Sequence, residues 1–184
     1  FLETVGEEPF LLVVSFDEPH GPFAVPPEFA DGVDPDALPE RPNYNASLEG
    51  KPAGHRQQAS EFPCPTWREY ARDRRPHWNC NAYVDMEVGR VAEKVFELHG
   101  DDTYVVYTSD HGDMMGSHGL RSKGAMMYEE TVNIPLLISG PGIEPRRASD
   151  ALVSHADLLP TFLDIVNPGF QAPDNQPWVL IAGA

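Results

Sequence analysis

Residues 104–113 read Tyr-Val-Val-Tyr-Thr-Ser-Asp-His-Gly-Asp, an apolar run of strand length that stops at two potential metal ligands and a glycine. Its apolar residues fall on both faces, which is typical of a buried parallel strand. In open α/β sheets, ligands bind just beyond the carboxyl ends of such strands. Asp110 and His111 therefore lie where chemistry is expected, and Gly112 lets the backbone turn there without a side chain in the way.

The segments around this strand predict an α/β fold with a mostly parallel sheet flanked by helices. Residues 80–99 carry valines at the spacing of one helix face, and Gly100 ends that helix. A helix that leads into a strand is the repeating unit of a parallel sheet. Residues 134–138 predict another strand, and residues 154–166 predict a helix that begins with a capping box. Shorter elements are predicted at residues 67–73, 125–130 and 178–181.

A second apolar strand is predicted at residues 10–16, and it ends in Asp17-Glu18-Pro19-His20-Gly21-Pro22. The prolines and the glycine stop the strand in a rigid turn. His20 is thus expected at a strand end, in the same topological position as Asp110. Because this core strand follows Phe1 so closely, we expect the chain to be a piece of a longer protein whose missing neighbours lie mainly upstream.

Composition narrows the classes of partner. The chain has 184 residues and a formal net charge of -16, which suits one domain over residues 1–184 with an acidic surface. That charge argues against nucleic acid or an anionic membrane as a general partner, since both require a basic footprint. A small anionic substrate requires only a few well-placed cations. No apolar run approaches the roughly 18 residues of a membrane span.

A long segment, residues 25–65, is rich in proline and acidic residues and has little periodicity. Loops of this length inside a domain are usually functional or mobile, so we predict a surface excursion that shapes the rim of a cleft. The chain has two cysteines, Cys64 and Cys80, and the sequence does not establish whether they pair.

The polar residues at the strand ends suggest one chemistry. Asp110 and His111 can offer oxygen and nitrogen to a divalent cation, and Lys123 brings a compact positive charge from the loop that follows. His20 adds a group that can donate a proton near neutral pH. Together these groups would neutralise an oxyanion such as sulfate or phosphate. The alternative is that Asp110 and Asp113 only cap a loop while His111 bonds the backbone.

Several motifs taken jointly resemble the C-terminal signature of the sulfatases, within the alkaline phosphatase superfamily. They are Thr108-Ser109-Asp110-His111-Gly112-Asp113, Gly116-Ser117-His118-Gly119-Leu120, Lys123-Gly124, Ile134-Pro135-Leu136-Leu137-Ile138, His155-Ala156-Asp157-Leu158-Leu159-Pro160-Thr161 and Pro19-His20-Gly21-Pro22. The resemblance implies an alkaline phosphatase-like fold that this chain contains only in part. It covers most of the chain from residue 10 to residue 166, apart from the proline-rich excursion.

The resemblance also implies roles for matching residues. Asp110 and His111 would be two ligands of the active-site metal, typically Ca²⁺; because many members carry asparagine where this chain has His111, Mn²⁺ or Mg²⁺ stays open. Lys123 would bind the sulfate oxygens, and His20 would contact the ester oxygen and help to protonate the leaving alcohol. His118 is a further candidate for substrate contact. The substrate would be a small-molecule or saccharide sulfate ester.

The chain departs from the family at the nucleophile, which is a formylglycine made from Cys or Ser in the motif Cys/Ser-X-Pro-X-Arg. Cys64-Pro65-Thr66-Trp67-Arg68 has its proline one position early and lies after His20, so we reject it. The N-terminal pair of metal-binding aspartates is absent too. We therefore expect the C-terminal half of a catalytic domain, inactive without the N-terminal part. The alternatives are a phosphodiesterase or phosphonate monoester hydrolase of the same superfamily, or a non-catalytic relative that binds an anion or a metal.

Overall fold

The structure, a computed structural model, describes residues 1–61, 63, 66–100 and 102–169. It divides into two units, Phe1–Ile143 and Glu144–Ala184. The first unit contains helices α1 (Ala53–Glu61), α2 (Trp67–His99) and α3 (Glu129–Val132), with strands β1 (Val105–Thr108) and β2 (Leu136–Ser139). The second contains helix α4 (Leu158–Val166).

Helix α2 is the longest element, at 33 residues. Its N-cap is Thr66, whose side chain accepts a hydrogen bond from the backbone N–H of Glu69, and it ends at Gly100, where φ is 56°. The sequence predicts two helices, at residues 67–73 and 80–99, whereas the structure has one helix that continues through Pro76. A proline inside a helix costs about 3 kcal/mol, and the helix packs on both sides of it through buried side chains. These are Tyr70, Ala71, His77, Asn79 and Cys80.

The two strands form an antiparallel pair in which Val105 lies opposite Ser139 and Thr108 lies opposite Leu136. The strands that the structure describes therefore do not confirm the predicted, mostly parallel sheet. A parallel pair needs a strand on each side of a crossover helix, and the described residues before α2 contain no strand. The connection of residues 109–135, which contains α3, instead brings the chain back in the opposite direction. It carries Asp110, His111 and Lys123 of the candidate site.

The strand predicted at residues 10–16 does not form in this structure, where the segment has no strand assignment. The four side chains from Leu11 to Val14 face solvent, with Leu11 73% and Val13 79% exposed. A strand that is apolar on both faces is stable only between other elements, and none of the segments in the described ranges pairs with this one. The segment has the hydrophobicity of a buried strand, but the described residues do not include the neighbouring elements that would bury it.

The excursion of residues 25–65 lies on α2 rather than projecting from it. Asn79 accepts a hydrogen bond from the Val33 backbone (3.1 Å) and donates one to the Ala30 carbonyl (2.6 Å). Asp36 pairs with Arg72 at 2.9 Å, and this hydrogen bond lowers the pKa of the Asp36 carboxyl. The excursion also contains helix α1, which was not predicted, since its sequence AGHRQQASE has no apolar stripe.

A small hydrophobic cluster fixes the connection between the two strands. Met114, Leu120 and Met126 are buried together. Leu48 and Ala59 of the excursion and Tyr128 pack against them. The loop between His111 and α3 is therefore held on its inner side by apolar packing, with the excursion lying over it.

In the second unit, the predicted capping box is confirmed, with Ser154 and Asp157 bonding each other's backbone, and α4 follows as predicted. The strand proposed at residues 178–181 and the side chain of Cys64 lie outside the described residues. The Cys80 thiol is buried, and burial raises its pKa. No helix in the described part of the chain has both the length and the apolarity that crossing a membrane requires.

Candidate active site

Asp110 and His111 follow β1 directly and lie side by side. The Asp110 carboxylate accepts a hydrogen bond from the His111 backbone N–H at 2.9 Å, and its other oxygen lies 3.5 Å from His111 Nε2. His111 Nδ1 donates to the carbonyl of Gly112 at 2.8 Å. That bond leaves the lone pair on Nε2, next to the carboxylate, so both donors can face one cation.

His20 has the same local arrangement. Its Nδ1 lies 2.8 Å from the carbonyl of the next residue, Gly21. Since a carbonyl can only accept, Nδ1 carries a hydrogen and Nε2 is the nitrogen left for other partners. The side chain is exposed, at the end of the segment that was predicted to be a strand.

Lys123 lies in the same connection as Asp110 and His111. In sequence it stands between Leu120 and Met126, whose side chains are buried. It is half-buried, and it makes no ion pair with a carboxylate of the described residues. In a chain with a net charge of -16, a lysine without such a partner remains available to an anion.

His118 occupies a different setting. Its ring stacks on Tyr128, with centroids 4.7 Å apart and planes 30° from parallel. Its Nε2 lies 3.4 Å from the side-chain amide of Asn43, and its Nδ1 is buried without a hydrogen-bond partner in the described structure. These contacts are with protein, so substrate contact by His118 stays a prediction.

His77, in α2, interacts with residues near both predicted halves of the site. The ring of Phe23, three residues after His20, meets the buried ring of His77 edge to face at 5.3 Å. The charge of Asp113, in the loop after His111, also acts on the His77 ring. Burial lowers the pKa of His77, and Asp113 opposes that change. His77 was not singled out in the sequence, because nothing local marks it.

The donor chemistry fits part of a metal site. A carboxylate oxygen and an imidazole nitrogen suit a divalent cation, but hard cations take six or more ligands. Among the described residues, no third Asp, Glu, His or Cys joins this pair. The loop-capping alternative is also visible, since both side chains bond the backbone, yet these bonds use only Nδ1 and one carboxylate oxygen. Capping and ligation are therefore compatible here.

The sequence comparisons with known proteins agree with one another. A sequence model of the family described as Sulfatase matches residues 1–168. The chain is 41% identical over 173 residues to the uncharacterized sulfatase YidJ of Escherichia coli strain K12, covering 92% of this chain and 35% of that protein. It is 31% identical over 166 residues to the N-acetylglucosamine-6-sulfatase of Capra hircus, covering 89% of this chain and 30% of that protein.

Among solved structures, the phosphonate monoester hydrolase of Agrobacterium radiobacter matches with a TM-score of 0.70 at 28% identity, covering 90% of this chain and 36% of that one. The chain spans about a third of the length of the curated relatives that it matches.

Proposed function

The chain belongs to the sulfatase family. We therefore propose that the protein hydrolyses sulfate esters in a reaction that depends on a divalent metal ion. This chain would supply the C-terminal part of the catalytic domain. The observation that carries the proposal is the end of β1, where Asp110 and His111 leave an oxygen and a nitrogen 3.5 Å apart. Lys123, without a carboxylate partner among the described residues, follows in the same loop.

Asp110 and His111 would hold the cation, for which we propose Ca²⁺, with Mn²⁺ or Mg²⁺ as the alternatives. When bound, it would supply positive charge to the sulfate oxygens. The remaining ligands and a formylglycine nucleophile would come from the part of the protein outside this chain. Gly112 keeps the pair in place by accepting the Nδ1 hydrogen of His111.

Lys123 and His20 would act on the ester itself. The Lys123 ammonium would bind sulfate oxygens and oppose the negative charge that grows as the ester bond breaks. With both ring nitrogens protonated, His20 would donate the Nε2 proton to the departing alcohol oxygen. It would then be neutral, with its remaining hydrogen on Nδ1, where it bonds the Gly21 carbonyl. His118 would contribute to substrate contact only if its ring left the stack with Tyr128.

The rest of the catalytic domain would cover the apolar surface of this chain. Leu11, Val13 and Leu137 are 73%, 79% and 63% exposed. Burying an aliphatic side chain of this size is worth roughly 1.5–3 kcal/mol. We propose that the N-terminal part packs on this surface and completes a larger, mostly parallel α/β sheet in which residues 10–16 are a strand.

A saccharide sulfate is the proposed substrate class. Its support is the 31% identity to a protein named for a sulfated N-acetylglucosamine. The second candidate, phosphonate monoester hydrolysis, is supported by the match at a TM-score of 0.70 to a hydrolase of that name.

The test is to assay the full-length protein on an aryl sulfate, on N-acetylglucosamine 6-sulfate and on a phenyl phosphonate. We expect the sulfate esters to react with the higher kcat/KM. The variant K123A should lower kcat by about 10²–10³, the usual loss when one charge-stabilising donor is removed. The control is K51A, another lysine without a described carboxylate partner, which lies over the ring of Tyr128.

Faster turnover of the phosphonate would favour the second candidate. Metal or sulfate binding without turnover of any ester would indicate a non-catalytic relative. Unchanged activity in K123A would remove Lys123 from the mechanism.

A further inference from the structure

Asn43, in the proline-rich excursion, joins two segments that lie far away in sequence. Its side-chain amide donates to Glu130 Oε1 at 2.6 Å and lies 3.4 Å from His118 Nε2. Its backbone carbonyl accepts from the His118 N–H at 2.8 Å. One residue thus holds the middle of the loop after β1 and the first turn of α3.

The Glu130 end of this network touches the residue next to the candidate metal ligands. The Gly112 backbone N–H donates to the Thr131 carbonyl at 3.0 Å. A side-chain carbon on Gly112 would overlap the Glu130 carbonyl oxygen and lie 3.1 Å from its carbon. Fixing Glu130 therefore fixes the backbone that follows His111.

The His118 end lies five residues before Lys123. His118 has a φ of 56°, in the left-handed region. For a residue other than glycine this conformation costs free energy, and it persists only where surrounding contacts hold it. The backbone bond to Asn43 and the stack on Tyr128 hold it there. The turn that leads to Lys123 thus depends on the same excursion residue.

The charge state of Glu130 agrees with a strong bond to Asn43. Partial burial opposes the ionisation of Glu130. The hydrogen bond from Asn43 is the largest of the effects that favour it, followed by the Glu130 backbone, the Ser117 side chain and the charge of His118. The net result is a lowered pKa, so the carboxylate is the form held in the network.

We propose that Asn43 and Glu130 are positioning residues, which act through a shared hydrogen bond to set the loop that carries Asp110, His111 and Lys123. This inference rests on the proposed function, because it assumes that the loop binds a cation and a sulfate ester. Neither residue is proposed to touch the substrate.

The test uses the full-length protein with N43D, E130Q and the double variant N43D/E130Q. N43D places a second carboxylate against Glu130, where the wild-type atoms are 2.6 Å apart. In the double variant the amide and the carboxylate have exchanged places, so the hydrogen bond can form in reverse. A double-mutant cycle then separates this bond from general effects of each change.

Three quantities are measured: the Kd for Ca²⁺ by calorimetry, kcat and KM on an aryl sulfate, and the unfolding temperature without metal. We expect N43D to weaken Ca²⁺ binding and to lower kcat by about 10–100-fold, the usual loss when a group that orients metal ligands is removed. KM should change by less than about threefold, and the double variant should recover most of both losses.

The matched control is Q57A. Gln57 donates to Glu61 at 2.8 Å, so it forms the same kind of amide–carboxylate bond, but exposed and within α1. Its removal should change neither Ca²⁺ affinity nor kcat. Should N43D fail to fold, N43A and E130Q decide instead: N43A should weaken Ca²⁺ binding about tenfold or more, whereas E130Q keeps an acceptor oxygen and should change it far less.

A lower unfolding temperature with wild-type Ca²⁺ affinity and kcat would overturn the inference, since that is a purely structural role. A double variant no better than N43D would overturn it as well. If the wild-type protein neither binds Ca²⁺ nor hydrolyses any ester, the proposed function fails and this inference with it. Wild-type activity that N43D leaves intact overturns this inference alone.

Discussion

At the scale of single residues, His20 and His111 show how a following glycine selects the working nitrogen of an imidazole. In both, Nδ1 donates to the carbonyl of that glycine at 2.8 Å. The bond fixes the tautomer and the ring, which is the usual way that proteins prepare a histidine for metal ligation or proton transfer. We propose the first task for His111 and the second for His20.

The proposed role of His20 predicts a dependence on the leaving group. In H20A, kcat for an alkyl sulfate should fall by about 10²–10⁴, because a poor leaving alkoxide needs the proton. For an aryl sulfate with an acidic phenol the loss should be much smaller. Steady-state kinetics over a series of phenols measures this. Equal losses across the series would show that His20 binds the ester without donating a proton.

His77 predicts a stability that depends on pH. Burial lowers its pKa below the ordinary 6.5, the charge of Asp113 opposes this, and Arg74 and Arg41 add to it. The unfolded chain therefore binds a proton more readily than the folded one. Stability should be complete above pH 6.5 and decrease as the pH falls through 6.5 toward the lower folded value.

The variant H77Q should remove this part of the pH dependence. Between pH 7 and pH 5, the wild-type protein should lose at most about 1.4 kcal/mol per pH unit through this single group. Chemical denaturation at several pH values gives the slope, and the wild-type and H77Q curves should converge at low pH. Parallel curves would mean that His77 titrates alike in both states.

The difference between these residues explains what the sequence could predict of the site. The pair at the end of β1 is encoded locally, by an apolar strand that stops at two candidate ligand residues and a glycine. Asn43 and Glu130 lie 87 residues apart and meet only through packing. Single-sequence patterns describe neighbours along a strand or helix, so this contact left no local signal.

At the scale of elements, the close contact between the loop after β1 and α3 can be tested at a glycine. G112A places a methyl group against the backbone carbonyl of Glu130, which cannot rotate away. We expect a loss of about 1–3 kcal/mol in the free energy of unfolding, as in other overpacked sites, and weaker Ca²⁺ binding. Denaturant unfolding and calorimetry of the full-length protein measure both.

The control is G89A, in the interior of α2, where a new methyl group would meet nothing within 4 Å. Alanine favours the helix over glycine by roughly 0.5–1 kcal/mol, so this variant should be slightly more stable. If G112A were as stable as G89A, α3 would not restrict the backbone after His111.

The elements that were predicted correctly carry their own signals. The C-terminal part of α2 has an apolar stripe and a closing glycine, and α4 begins with a capping box. Helix α1 has no such stripe and exposes most of its residues, so its helical state depends on docking over the loop. The antiparallel direction of β1 and β2 was not predicted either, because strand pairing is decided by partners elsewhere in the chain.

At the scale of the whole molecule, the first apolar run shows a conflict between hydrophobicity and surroundings. Residues 10–16 have the composition of a buried strand, yet four consecutive side chains, Leu11 to Val14, are exposed. Contiguous exposed apolar surface of this kind marks an interface. The chain spans about a third of the curated relatives that it matches, so the proposed occupant is the remainder of the same catalytic domain.

Hydrogen exchange can decide this. In the 184-residue chain, amides of residues 10–16 should exchange at nearly unprotected rates, since the segment has no strand pairing. In the full-length protein, strand pairing and burial should slow them by at least about 10²-fold, as expected for amides that exchange only through sub-global opening. Peptides from the interior of α2 serve as the internal control and should be protected in both. Exchange that is equally fast in the two proteins would contradict the completed sheet and leave the exposed run without its proposed cover.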